Sequence, residues 1–292
     1  MAKQIKKFKD LQLQDDFMFG IIMRKPEYCK QFLETVLEIK IKSIEYPESQ
    51  AFINLNIPAK SIRLDVYVDD NEGTVYNIEM QTTNRNDLPK RIRYYHGMID
   101  LNILEKGEDY SNLKKSYVIF VCTFDFFGEG RHMYTFENRC IQNSELALND
   151  EAMTVILNTK GTLRDISPKM QALLSYIDGS EPTDAYTKEL EQAVQEVKFN
   201  EKWRLDYMTL EMKYSEILEE GRAEGREEGR EEGREEGRAE GREEGRAEGR
   251  EEGRIQMAIN LYAANKILAK DAAEILGITE KEFLNIVKEY QE

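Results

Sequence analysis

Two carboxylates, Asp65 and Glu79, stand with thirteen residues between them and Gln81 just beyond, and their spacing points to shared work. Residues 61–68 (SIRLDVYV) alternate, placing Ile62, Leu64, Val66 and Val68 on one face and Arg63, Asp65 and Tyr67 on the other. That is the pattern of a half-buried strand. DDNEG (69–73) reads as a turn and 74–82 (TVYNIEMQT) as the returning strand. Side chains alternate along a strand, so Glu79 and Gln81 share a face. A turn centred near Glu72 sets Asp65 across from Glu79, where cross-strand Cβ atoms come within about 4.5–5.5 Å. Carboxylates that close repel unless one is protonated or a cation lies between them. A hard divalent ion such as Mg²⁺, held by one or two carboxylates, waters and a substrate phosphate, suits the pair. Such an ion lowers the pKa of a bound water and neutralises charge on phosphate oxygens. Gln81 is placed to orient the water or the phosphate. The plainer reading makes Asp65 an exposed strand residue and Glu79 a cross-strand partner of Arg63.

The elements around this hairpin read as mixed α and β. Residues 15–40 carry helical spacing, with Phe32, Leu33, Val36 and Leu37 as an apolar stripe. Residues 88–106 fit a helix, and 116–122 (SYVIFVC) form a continuous apolar run typical of a strand covered on both faces. Strand, helix and buried strand in that order suggest a right-handed βαβ crossover. Residues 132–138 and 153–158 read as further strands. Ser167-Pro168 reads as the N-cap and first residue of another helix, and 184–218 is mostly helical. The Tyr94-Tyr95 pair reads as core or interface, with stacking on bases the other use for such rings.

Composition narrows the function classes. A net charge of −15 over 292 residues argues against coating nucleic acid by bulk electrostatics and leaves only local basic clusters for phosphate contact. Cys29, Cys122 and Cys140 are widely spaced and odd in number, which reads as free thiols in a reducing cytosol. Two histidines, His96 and His132, do not make a zinc site. The N-terminus lacks the apolar region of a signal peptide, and no stretch approaches the length of a membrane span. The expectation is a cytoplasmic protein with no membrane partner. Walker, G-x-S-x-G and H-E-x-x-H motifs are all missing.

From Glu219 to Arg254 the chain is a tetrapeptide repeat of Glu, Gly and Arg, with nine of the protein's 18 glycines and none of its aromatics. No core can form from it. Glu at one position reaches Arg three residues on, which favours a helix slightly. Like charges stack at the fourth residue, however, and each glycine costs about 1 kcal/mol against alanine. The expectation is a marginal, solvated helix or extended spacer, which divides the chain into a main domain (1–218), a spacer (219–254) and a small helical tail (255–292). KDAAEILGITEKEF (270–283) has a helix-turn-helix layout, with Thr279 and Glu282 as a capping box and Ala272, Ala273, Leu276, Ile278 and Phe283 at the joint. Four lysines against six acids leave this tail without a basic recognition surface, so self-association or a small-protein partner is its expected use. Glu, Gly and Arg can all be written in purine-only codons ahead of Met257. An internal start there would make that partner from the same chain.

Asp65, then thirteen residues, then Glu79-Met80-Gln81 resembles the PD-(D/E)XK nuclease signature, with Gln81 in the lysine position. The wider chain resembles the Rpn-like recombination-promoting nuclease and transposase family. The matching blocks are LQLQDDFMFGIIM (11–23), SIRLDVYVDD (61–70), VYNIEMQ (75–81), LPKRIRYYHGMID (88–100) and KKSYVIFVCTFDFF (114–127). The resemblance implies a restriction-endonuclease-like α/β core, a mixed central sheet flanked by helices. It implies metal ligation by Asp65, Glu79 and the Met80 backbone carbonyl, with Gln81 completing the catalytic set. Gln81 brings no positive charge; Arg63, Lys90, Arg91 or Arg93 would have to supply it, and Asp16 would add a further carboxylate. The implied activity is that of a Mg²⁺-dependent DNA endonuclease in recombination or mobile-element biology. The alternative is a catalytically weak nuclease fold acting through partners in a defence or regulatory complex. A DDE transposase of RNase H-like fold is disfavoured, because its carboxylates lie on well-separated elements.

Overall fold

The computed structural model describes residues 6–46, 66–70 and 72–290. The chain divides into two compact units, Met1–Glu211 and Met212–Glu292. In the first, the helical stretch expected over 15–40 is two helices, α1 (Asp16–Met23) and α2 (Pro26–Leu37). Proline disfavours helical backbone in the residue before it, and Lys25 is extended (φ −90°, ψ 119°), so the chain turns a corner there.

Strand β1 (Val66–Asp69) pairs antiparallel with β2 (Thr74–Gln81). The partners are Val66 with Ile78, Tyr67 with Asn77, Val68 with Tyr76 and Asp69 with Val75. Every pair is centred on residue 72, the register expected from the turn. Asp70 fixes that register: its Oδ1 accepts from the backbone N–H of Glu72 (2.8 Å) and Thr74 (3.0 Å), and its Oδ2 from the Tyr76 hydroxyl (3.0 Å). Gly73 takes φ 96°, a value open to glycine and strained for other residues. Residues 61–65 of the expected strand, including Arg63 and Asp65, lie outside the described residues.

Helix α3 (Leu88–Ile103) follows β2 and leads to β3 (Lys115–Cys122), which lies parallel to β2. After β4 (Met133–Phe136), a two-stranded ribbon, β5 (Arg139–Cys140) and β6 (Asn143–Ala147), precedes β7 (Ala152–Asn158). The sheet order is β1-β2-β3-β7-β4, with β2, β3 and β7 parallel and the edge strands antiparallel to their neighbours. Helix α4 (Pro168–Ile177) begins at the expected proline, where the Ser167 hydroxyl caps Met170 N–H at 3.4 Å.

Each sheet face carries its own core. Val66, Val68, Tyr76, Ile78 and Met80 pack with α1, α2, α4 and α5 (Ala185–Lys198). On the other face Tyr67, Val75, Val118, Phe120 and Cys122 pack under Leu88, Ile92, Tyr95 and Ile99 of α3. The described part of the strand expected to be half-buried, Val66–Val68, is therefore covered on both sides: Tyr67 is buried, like its apolar neighbours, because α3 lies over it. Alternation reports which residues share a face, not whether a later helix will cover the polar one.

His96 pins α3 to the sheet, with Nδ1 3.1 Å from Ser116 Oγ on β3 and Nε2 3.1 Å from Thr154 Oγ1 on β7. Burial lowers its pKa below the usual 6.5, against a smaller opposing pull from Asp150. The folded state resists a proton that the unfolded chain accepts. The resulting stability is complete above pH 6.5 and drains away as the pH falls below it. Thermal melts between about pH 5 and 7.5 should show this decline, and His96→Gln should flatten it.

Helix α6 (Glu201–Ala263) carries the whole repeat as one continuous helix whose residues 219–254 are all exposed. Of the two alternatives expected, helix or extended spacer, the structure has the helix. Arginines support it locally: Arg242 and Arg250 donate through Nε to carbonyls four residues back, and Arg254 lies 3.4 Å from Glu251. In the second unit, the end of α6 packs with α7 (Ala269–Leu276) and α8 (Glu280–Glu289) around Ala258, Ile259, Ala272, Ala273, Leu276 and Phe283. Gly277 makes the turn at φ 73°, and Thr279 and Glu282 form the expected capping box. Among the described residues no helix is long and apolar enough to cross a membrane.

Candidate active site

The α3 side of β2 presents three polar residues in succession, Asn77, Glu79 and Gln81, at 0%, 3% and 8% exposure. Polar side chains are rare at such depth without partners. Here the partners come from the strand itself and from α3. Asn77 Nδ2 donates to Glu79 Oε1 at 3.1 Å, and the Tyr95 hydroxyl makes a long 3.5 Å bond to Glu79 Oε2. Asn77 Oδ1 is buried and accepts no hydrogen bond among the described residues.

Gln81 is held at both ends. Its Oε1 accepts from Arg91 Nη1 at 2.8 Å, and its Nε2 donates to the Thr83 carbonyl. Arg91 also donates through Nη2 to the Tyr95 hydroxyl at 3.1 Å. Its guanidinium carbon lies 5.7 Å from the Tyr95 ring centre and 5.5 Å from that of Phe120. Those two rings stack on each other at 5.8 Å and 12°. Burial opposes the charge on Arg91, but the Tyr95 hydroxyl, Glu79 and Asp87 outweigh it and raise the pKa. A permanent cation thus sits against Gln81, two hydrogen bonds from Glu79 by way of Tyr95.

The other expected site residues divide clearly. Asp65 and Arg63 lie outside the described residues. Met80 turns its side chain into the opposite core. Carbonyls alternate sides along a strand, and the Gln81 carbonyl accepts from Thr123 N–H beyond β3, so the Met80 carbonyl is directed to the β1 side. Asp16 is the exposed first residue of α1, a helix packed on the sheet face opposite Glu79. Of the basic candidates on α3, Arg91 reaches the polar row, while Lys90 and Arg93 are exposed. Tyr94 and Tyr95 part ways, Tyr94 being 38% exposed and Tyr95 4%. The sequence reading missed Asn77 and the pairing of Arg91 with Tyr95. Both had a signal: Asn77 continues the polar alternation of Glu79 and Gln81, and Arg91 and Tyr95 stand four residues apart on one helix face.

Thiol chemistry is not available at this site. Cys122, beside Gln81 in the sheet register, is pushed up to about 12 by burial, against a smaller lowering by Arg91. Cys29 is likewise raised by burial to about 12. Among the described residues no group of three or more His, Cys, Asp or Glu is placed to hold a metal ion.

The mixed sheet of parallel inner strands between helices, with Glu79 buried on the second strand, is the architecture expected of a restriction-endonuclease-like α/β core. Residues 15–161 match the model of a family described as PD-(D/E)XK nuclease family transposase, and the chain belongs to that family. The match takes in α1 to β7, including the hairpin and α3. Comparison with curated proteins gave no match, and neither did comparison with solved structures.

Proposed function

We propose that the protein is a metal-dependent DNA endonuclease, acting in recombination or mobile-element biology, with Asp65 and Glu79 as its metal ligands and Gln81 as the third catalytic residue. The observation that carries this reading is the burial of Glu79 among oriented donors. A carboxylate at 3% exposure loses much of its hydration, and a fold keeps one there at a cost unless the charge is used. The donor set is one of hard oxygens: the Glu79 carboxylate, the Met80 carbonyl directed to the β1 side, and Asp65 in the sequence leading into β1. It fits Mg²⁺ or another hard divalent cation. When bound, such a cation supplies a water of lowered pKa and offsets charge on the phosphate oxygens.

The chain's own residues do the positioning. Asn77 and Tyr95 hold the Glu79 carboxylate from two sides. Arg91 restores the positive charge that Gln81 lacks, fixed by Gln81, Tyr95 and the Phe120 ring rather than swinging freely. Residues 82–97 carry four basic side chains, Arg85, Lys90, Arg91 and Arg93, against the single acid Asp87. In an acidic chain this is a local surface for the phosphate backbone.

Supercoiled plasmid incubated with Mg²⁺ should be nicked or linearised, and EDTA should stop the reaction. Equal conversion with and without EDTA would refute metal dependence, and cleavage of RNA alone would refute DNA as the substrate.

A further inference from the structure

We propose that Asn77 is a positioning residue, holding the Glu79 carboxylate in the orientation that receives a divalent cation. The inference rests on the nuclease reading of the same site. Asn77 is fully buried in β2, opposite Tyr67 on β1 and beside Val118 on β3, in the layer that α3 covers. Around it on this face lie Val75, Val118, Phe120 and Ile99, all apolar. Asparagine is depleted in strands, and burying its amide is unfavourable unless both ends find partners. Only one end does. Nδ2 donates to Glu79 Oε1 at 3.1 Å, while Oδ1 accepts nothing among the described residues.

Packing alone therefore gives no reason for an amide here. A valine or leucine would fill the layer without an orphaned acceptor. What the amide supplies, and an aliphatic side chain cannot, is an N–H aimed at one particular carboxylate oxygen. With the Tyr95 hydroxyl at the other oxygen, the carboxylate plane is restrained before any ligand arrives. Ligands held in this way bind metal more tightly, because less freedom is lost on binding. Removal of such a support typically weakens affinity about 10–100-fold.

The experiment measures Mn²⁺ binding by titration calorimetry on the full chain, without nucleic acid, so that its readout is independent of cleavage. Asn77→Val and Asn77→Thr are nearly isosteric and suit a strand, but only threonine keeps a hydroxyl donor. Asn77→Val should weaken Mn²⁺ binding about 10–100-fold and Asn77→Thr clearly less, with metal-free melting temperatures no lower than wild type. Should Asn77→Val not fold, Asn77→Leu, which branches at Cγ as asparagine does, takes its place. Wild-type affinity in the aliphatic variant, or equal weakening in both variants, overturns the proposal. Mn²⁺ binding that Glu79→Ala abolishes and the aliphatic variant leaves intact sinks the role of Asn77 alone. No Glu79-dependent Mn²⁺ binding in the wild type sinks the nuclease reading with it.

Discussion

Arg91→Ala should lower plasmid cleavage by about 10²–10³-fold, the range for removing one preorganised charge or donor from a reacting centre. The guanidinium is fixed on several sides: 2.8 Å from Gln81 Oε1, 3.1 Å from the Tyr95 hydroxyl, and against the stacked rings of Tyr95 and Phe120. Its charge is permanent, since its surroundings raise an already high pKa. Arg91→Lys should recover little of the loss. An ammonium offers no planar fork to bridge Gln81 and Tyr95 and stacks poorly on Phe120. Lys90→Ala and Arg93→Ala concern exposed side chains and should act on binding: each should shift KM and reduce the salt dependence of DNA affinity by about one phosphate contact. Steady-state rates at several salt concentrations separate the two behaviours. A turnover number for Arg91→Ala close to wild type would remove the cation from the account.

Glu79→Gln should reduce cleavage by about 10³-fold or more while leaving the melting behaviour of the metal-free protein within about 1 kcal/mol of wild type. Glutamine keeps the volume, its Oε1 can still accept from Asn77 Nδ2 and its Nε2 can donate to the Tyr95 oxygen, so the packing under α3 is preserved. What disappears is a charge whose burial opposes folding and whose proposed use is to hold a cation. Loss of activity without loss of fold is the pattern of a functional group. A drop in stability of several kcal/mol would instead mark Glu79 as part of a structural ion-pair network.

The hairpin was legible because three local signals agreed: strict alternation, the DDNEG turn, and a centre of pairing at residue 72. The observed pairs from Val66–Ile78 to Asp69–Val75 keep that register. The central strand at 115–122 was legible from its unbroken apolar run, and the tail from its glycine turn and capping box. Two-sided burial of the hairpin was not, because it depends on α3 folding back over Tyr67, Asn77 and Glu79, a tertiary event no local pattern encodes. The break between α1 and α2 is marked in the sequence by Pro26, whereas the apolar stripe at Phe32, Leu33, Val36 and Leu37 reports α2 alone. The β5–β6 ribbon is largely exposed and polar, so alternation had nothing to mark. At the site, the sequence singled out the acids and the glutamine by type and spacing. It offered Arg91 as one of four basic candidates, and only the packing of α3 separates it from Lys90 and Arg93.

On the proposed function, Glu79 and Asp65 together hold the cation that drives cleavage. The most direct measurement of that role is Mg²⁺-dependent nicking of supercoiled plasmid by the wild type, Asp65→Ala and Glu79→Ala at matched concentration, each shown to be folded. The wild type should nick the plasmid and neither variant should nick it above background. Nicking at wild-type rates by both variants, or none by the wild type with any divalent metal, would contradict that role.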